Sequence, residues 1–301
     1  MDHTQRPMFA LLLRLAAVAL LSTMFMLVKY VGESGVALPE IMFWRQAVPC
    51  LLIPAILFFS GKLGQLKTKS PIRHGMRALV GMFGMVCGFG ASLLLPLAEA
   101  MTLGFTTPFF AVILTALILR ERVGMWRWAA VAIGFIGVVI VARPGGGPVD
   151  PVGLAAGLLS GLFVSIVSFQ IRDLARRDGA TAAVFYFALF GAAIMALPLP
   201  FFITPHSPVQ WLLLLGVGVA GTFGQWLVSA SLRFGAVASV IVMDYTSLFW
   251  ATLYGFLIWD HLPPFTTWLG APAIIAAGVI IAWREQKLSR AISPSAAIEG
   301  D

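Results

Sequence analysis

Ten stretches of roughly twenty apolar residues each fill almost the whole chain, in two sets of five. A helix of about 20 apolar residues crosses a bilayer core of about 30 Å, so this spacing commits nearly every residue to a membrane. The composition agrees: 59% of residues are hydrophobic and only 11% charged, where a soluble domain carries about 25% charged residues. Lipid offers backbone N–H and C=O groups no partner, which leaves α-helices or a closed barrel. Barrel strands alternate in polarity, and these stretches do not. The expected fold is an all-α integral membrane protein with ten transmembrane helices arranged as two inverted five-helix repeats. The spans are predicted at 8–29, 40–60, 74–95, 97–119, 125–142, 151–171, 181–203, 210–232, 236–258 and 264–283.

The first stretch differs from a signal peptide. Arg14 interrupts it and no small-residue cleavage site follows, so it reads as the first membrane helix. The net charge of +7 is sorted by membrane side rather than clustered for nucleic acid, which is excluded as a partner. With ten spans and a cytoplasmic N-terminus, seventeen of the twenty Lys and Arg residues fall on the cytoplasmic side, and only Lys29, Arg45 and Arg143 fall outside. The positive-inside rule produces that skew. The expected location is the plasma membrane of a bacterium (the inner membrane), multi-pass, with both termini cytoplasmic. Cys50 and Cys87 lie within apolar stretches and read as small buried side chains.

An odd number of helices per half makes the second half enter the membrane from the opposite side. A shift of 139 residues sets Leu15-Ala16-Ala17 on Leu154-Ala155-Ala156, Phe110 on Phe249, Leu114 on Leu253 and Glu121 on Asp260. The expected units are 1–144, 151–285 and a cytoplasmic tail, 286–301. The Pro/Gly-rich link between Arg143 and Asp150 is their hinge. Inverted halves are a common build of secondary transporters, with the substrate bound near mid-membrane where the halves meet. Gly153/Gly157/Gly161 and Gly216/Ala220/Gly224 form small-residue stripes suited to close helix contact.

The run Leu95-Pro96-Leu97-Ala98-Glu99-Ala100, then Thr106-Thr107-Pro108-Phe109-Phe110, then Leu119-Arg120-Glu121-Arg122-Val123, with Gly134, Gly137 and Arg143-Pro144, resembles the EamA-type half-repeat of the drug/metabolite transporter superfamily. Asp244 to Trp250 and Trp259-Asp260 resemble it more loosely, with Asp260 in place of the usual Glu and His261 after it. The resemblance covers about 280 residues. It implies a ten-helix carrier of amino-acid-like, nucleotide-like or vitamin metabolites.

Several residues suit a substrate site. Asp244 falls near mid-membrane in the predicted ninth helix, where an ionisable group costs roughly 2.5–3.5 kcal/mol and must face a cavity or a partner. It suits a substrate amine or a coupling proton, or a structural bond to a helix end or Tyr245. Gln225, Trp226 and Ser229 stand mid-way along helix 8, as a stacking and hydrogen-bonding set or as glue between helices. Arg45, beside Trp44 near the outer end of helix 2, either snorkels or grips a carboxylate. Glu99 suits a helix-capping role. Ser22, Met26, Phe89, Ser92, Thr102, Phe105, Phe163, Ser168, Tyr245 and Phe249 are candidates for a polar-aromatic cavity between helices 1, 3, 4, 6, 8 and 9. Glu121-Arg122 and Asp260-His261 end helices at opposite faces, as gate ion pairs or as interfacial anchors.

No phosphate-binding G-x-x-x-x-G-K-[ST] loop, zincin motif or Cys/His cluster is present, so neither cofactor nor metal is expected. His3, His74, His206 and His261 all fall at ends or loops, which disfavours an intramembrane enzyme or lipid-handling protein, the alternative reading. The expected function is a secondary transporter of a small organic metabolite working by alternating access. Its expected partners are that substrate, the bilayer and protons as coupling ion, and a homodimer is compatible with the chain.

Overall fold

The structure is a computed structural model that describes residues 7–118, 120, 123–142, 149–234 and 242–292. Glu121, Arg122 and most of the expected hinge lie outside the described residues, as do 293–301 of the expected tail. The described part of the chain is helical, without a strand. Its α-helices are α1 (Pro7–Glu33), α2 (Leu38–Phe59), α3 (Pro71–Leu94), α4 (Leu97–Gly104), α5 (Thr107–Leu117), α6 (Met125–Ala142), α7 (Pro151–Asp178), α8 (Ala180–Ala196), α9 (Pro208–Phe234), α10 (Ser247–Trp259) and α11 (Phe265–Ile292). Eight segments are long and apolar enough to cross a membrane, with α4 and α5 counted together; α8 is apolar but shorter.

Helix starts follow local chemistry. Pro39, Pro71 and Pro151 occupy first turns, where a missing N–H costs nothing. Asp150 caps α7 by accepting hydrogen bonds from the Val152 and Gly153 amides at 2.8 and 3.4 Å.

Two predicted spans are not single helices. The fourth breaks at Phe105–Thr106, between α4 and α5, where the Thr106 hydroxyl donates back to the Leu103 carbonyl at 2.7 Å. The described part of the ninth opens with a short 3-10 turn, Val242–Thr246, before α10 begins at Ser247. Asp244 therefore lies in that turn and not inside a continuous helix. The last helix continues to Ile292, seven residues into the expected tail.

The broadest helix contacts are α1 with α9, α3 with α7, and α6 with α11. Small residues set their closeness. A Cβ on Gly153 would stand 2.8 Å from Leu95, and one on Gly157 2.6 Å from Leu103; one on Gly161 would run into the Thr106 hydroxyl. The stripe on α7 is thus the groove that receives α4 and the α4–α5 break. Between α6 and α11, Gly137 and Gly270 face each other so closely that an added Cβ on either meets the other's carbonyl oxygen, at 2.8 and 2.6 Å.

Candidate functional site

A cavity of about 290 Å³ lies between α1, α2 and α3 on one side and α7, α8 and α9 on the other. None of the described residues of the fourth and ninth spans, expected to line it, does so; the second and seventh spans contribute instead. Its walls are largely apolar and aromatic, with Met24, Phe25, Met85, Phe89 and Phe187 among them. Its polar groups are Arg45, Arg77, Ser160, Ser168, Thr222 and Gln225.

Arg45 stands two turns inside α2 and is only 5% exposed, so it does not snorkel to the surface. Its Nη1 donates to the Gln46 Oε1, while its buried Nε has no partner. Gln46 is itself fixed by an Nε2 contact to the Met82 sulfur at 3.2 Å. Gly221 leaves room for the guanidinium: a Cβ there would stand 3.3 Å from Arg45 Nε. Arg77, on α3, donates from Nη1 to the Ala183 carbonyl at 2.6 Å and lies over the Phe187 ring at 5.0 Å; its Nε is also buried without a partner. Among the described residues, no Asp or Glu lines it. Sequence reasoning singled out Arg45 but passed over Arg77, counting it only as cytoplasmic topology; its place seven residues into an apolar helix was the available signal.

The remaining sequence candidates are dispersed. Of them, Arg45, Phe89, Ser168 and Gln225 reach the cavity. Asp244 instead accepts two hydrogen bonds from Arg14 of α1, Nε to Oδ1 at 2.6 Å and Nη2 to Oδ2 at 2.5 Å. That side-on pair ties α1 to the turn before α10. Tyr245 packs edge-on against Phe105 at 5.0 Å, and its hydroxyl fills the space that a Cβ on Gly278 would need. Trp226 meets Phe223 edge-on, and the Ser229 hydroxyl donates to its own helix at Gln225. Thr102 likewise donates to Ala98, Ser92 to Phe89, and Ser22 is fully buried. Phe163 stacks on Phe83 at 5.9 Å. Met26 packs in a small core with Leu97, Ala98 and Ala251, and Glu99 is buried in the first turn of α4. Phe249 is 62% exposed and does not line the cavity. Asp260, at φ 49°, and His261 close α10 through backbone bonds to Phe256 and Gly255.

Both ends of the bundle are fastened by a histidine and a carboxylate. Where α2 gives way to α3, His74 Nε2 lies 3.0 Å from Asp178 Oδ2, which also accepts from the Thr68 hydroxyl at 2.6 Å. The Thr68 hydroxyl, then His74 and the Lys69 amide, hold the Asp178 carboxyl below its ordinary range. At the opposite end, His206 Nε2 lies 2.5 Å from Glu40 Oε1, both fully buried. That end also holds a second cavity, of about 350 Å³, bordered by Lys29, Glu33, Trp259 and His261. There Lys29 donates to the Ser92 and Leu95 carbonyls and pairs with Glu33 at 3.3 Å, while Trp259 donates to Glu33 at 2.5 Å.

The model of the EamA-like transporter family matches the chain twice, over residues 8–143 and 151–283. The chain belongs to the EamA-like transporter family. It is 30% identical to the pseudopaline exporter of Pseudomonas aeruginosa over 255 residues, 83% of this chain and 89% of the relative. It is 30% identical to the riboflavin transporter of Vibrio cholerae over 250 residues, 82% of this chain and 83% of the relative. A solved crystal structure superposes with a TM-score of 0.63 at 21% identity, covering 94% of this chain and 99% of that one, and supports the fold alone. This EamA-family protein is thus a multi-pass membrane protein of the transporter kind and not an enzyme.

Proposed function

We propose that this EamA-family protein is a secondary transporter that carries a small organic metabolite across the bacterial inner membrane by alternating access between two inverted five-helix halves. The observation that carries the reading is the cavity itself, a mostly apolar chamber with a few convergent polar groups, of the kind that holds small molecules. Its walls come from the first three helices of each matched unit: α1, α2 and α3, and α7, α8 and α9.

The inverted repeat draws support from the contacts. Counting α8 and the segment ending in α10 as the seventh and ninth spans gives five per half. The α1–α9 contact then mirrors α7–α3, and α6–α11 joins the two fifth helices. The breaks at Phe105–Thr106 and around Asp244 also fall in register at a shift of 139. Discontinuous helices of this sort recur in transporters. The pair Glu40–His206 has a counterpart in Asp178–His74: in each, an acid at or just before the start of one half's second helix meets a histidine at or just before the start of the other half's third. Alternating access would open these two fastenings in turn. The Lys/Arg skew supports an orientation with the His74–Asp178 end and both termini in the cytoplasm.

The test is uptake into liposomes holding the purified protein, with labelled riboflavin, aromatic amino acids and S-adenosylmethionine, at matched and unmatched pH. Saturable uptake of one compound supports the carrier and names its substrate. Dependence on the pH gradient identifies protons as the coupling ion. Equal, unsaturable leakage of every compound would instead mean a channel.

A further inference from the structure

We infer that the central cavity is an organic-anion site, in which Arg45 and Arg77 supply the positive charge that meets the acidic group of a substrate whose body is apolar or aromatic. This deepens the proposed transport function and rests on it for the word substrate, but the site itself stands on geometry.

Two guanidinium groups line one chamber of about 290 Å³, and among the described residues no acidic side chain lines it with them. Arginine stays charged under all working conditions. Both groups are nearly removed from solvent, at 5% and 8% exposure. A buried cation is costly unless a partner compensates it. Elsewhere in this protein the partners are visible: Asp244 serves Arg14, and Glu33 serves Lys29. In the cavity, Arg45 has the neutral Gln46 amide and Arg77 the Ala183 carbonyl and the face of the Phe187 ring, none of them an anion, and each leaves Nε unpaired. A carboxylate or phosphate accepts two parallel N–H bonds from a guanidinium fork, which is the pairing these nitrogens lack. Gln225, Ser160 and Thr222 add neutral hydrogen-bonding groups, and Phe25, Phe89 and Phe187 supply the apolar walls. The missing counter-charge is therefore brought by the ligand.

The experiment measures binding to purified protein in detergent by calorimetry and thermal shift, separately from transport. The probes are phenylacetate, phenyl phosphate and the neutral isostere phenylacetamide. At least one acid should bind saturably and at least tenfold tighter than the amide, and which acid wins tells carboxylate from phosphate. At least one of Arg45→Gln and Arg77→Gln should weaken that acid at least tenfold, while Arg284→Gln, on α11 outside the cavity lining, should not. Arg45→Lys keeps the charge without the fork and should fall between, so that a misfolded glutamine variant does not decide the matter. Equal binding of acid and amide, unchanged affinity in both glutamine variants, or no binding of either acid would each overturn the assignment. Binding of an acid without saturable uptake in liposomes would leave the site standing and remove the transporter reading.

Discussion

Arg14 and Asp244 are each other's partner, joined side-on across 230 positions of sequence. Removing either leaves a buried or half-buried charge alone. Arg14→Gln and Asp244→Asn should therefore each lower stability by about 1–3 kcal/mol, read as a fall in the melting temperature in detergent. The double variant should lose much less than the sum of the two, because the pair acts as a unit. If the losses add fully, the pair is not coupled. Glu40 and His206 are buried more completely, and Glu40→Ala should cost about 1–3 kcal/mol through the orphaned imidazole. Asp178 carries a pH prediction. Its folded pKa is depressed below the ordinary 3.8, so its contribution is complete above that value and fades as pH falls through the lowered one. Asp178→Asn should flatten the acid limb of a plot of melting temperature against pH, and an unchanged limb would refute this.

At the scale of elements, the stripe of glycines on α7 decides how near α4 and the α4–α5 break can come. Gly157→Leu would press on Leu103, and Gly161→Leu on Thr106. Overpacking of this kind costs typically 1–3 kcal/mol, and both variants should melt earlier than Gly75→Leu, whose Cβ meets open space. The apolar spans and this stripe were legible in the sequence, because bilayer thickness and close packing each act through local composition. The helix breaks were not. Thr106 and Asp244 sit in runs as apolar as any helix interior, and only the folded arrangement shows that the chain turns there. Asp244 also illustrates why the candidate site was only partly legible. Its position in the sequence announces a partner but cannot distinguish a ligand from Arg14, whereas Arg45, Phe89 and Gln225 lie where the six helices converge.

For the whole molecule, the proposed orientation can be checked from outside. In a variant with Cys50 and Cys87 replaced by Ala, a single cysteine at Ser207 should react in intact cells with a reagent that does not cross membranes. One at Lys67 should react only after the cells are opened. The reverse pattern would invert the topology and exchange the two fastened ends. Architecture and charge also divide differently. The cavity walls come equally from both halves, but both of its cations belong to the first. A resting cavity thus carries two fixed positive charges within the bilayer, and a bound monoanion cancels one of them. Moving one charge through 100 mV is worth about 2.3 kcal/mol. If the proposed transport cycle moves this site through the field, membrane voltage weighs more heavily on the return of the empty carrier than on the passage of one holding a monoanion.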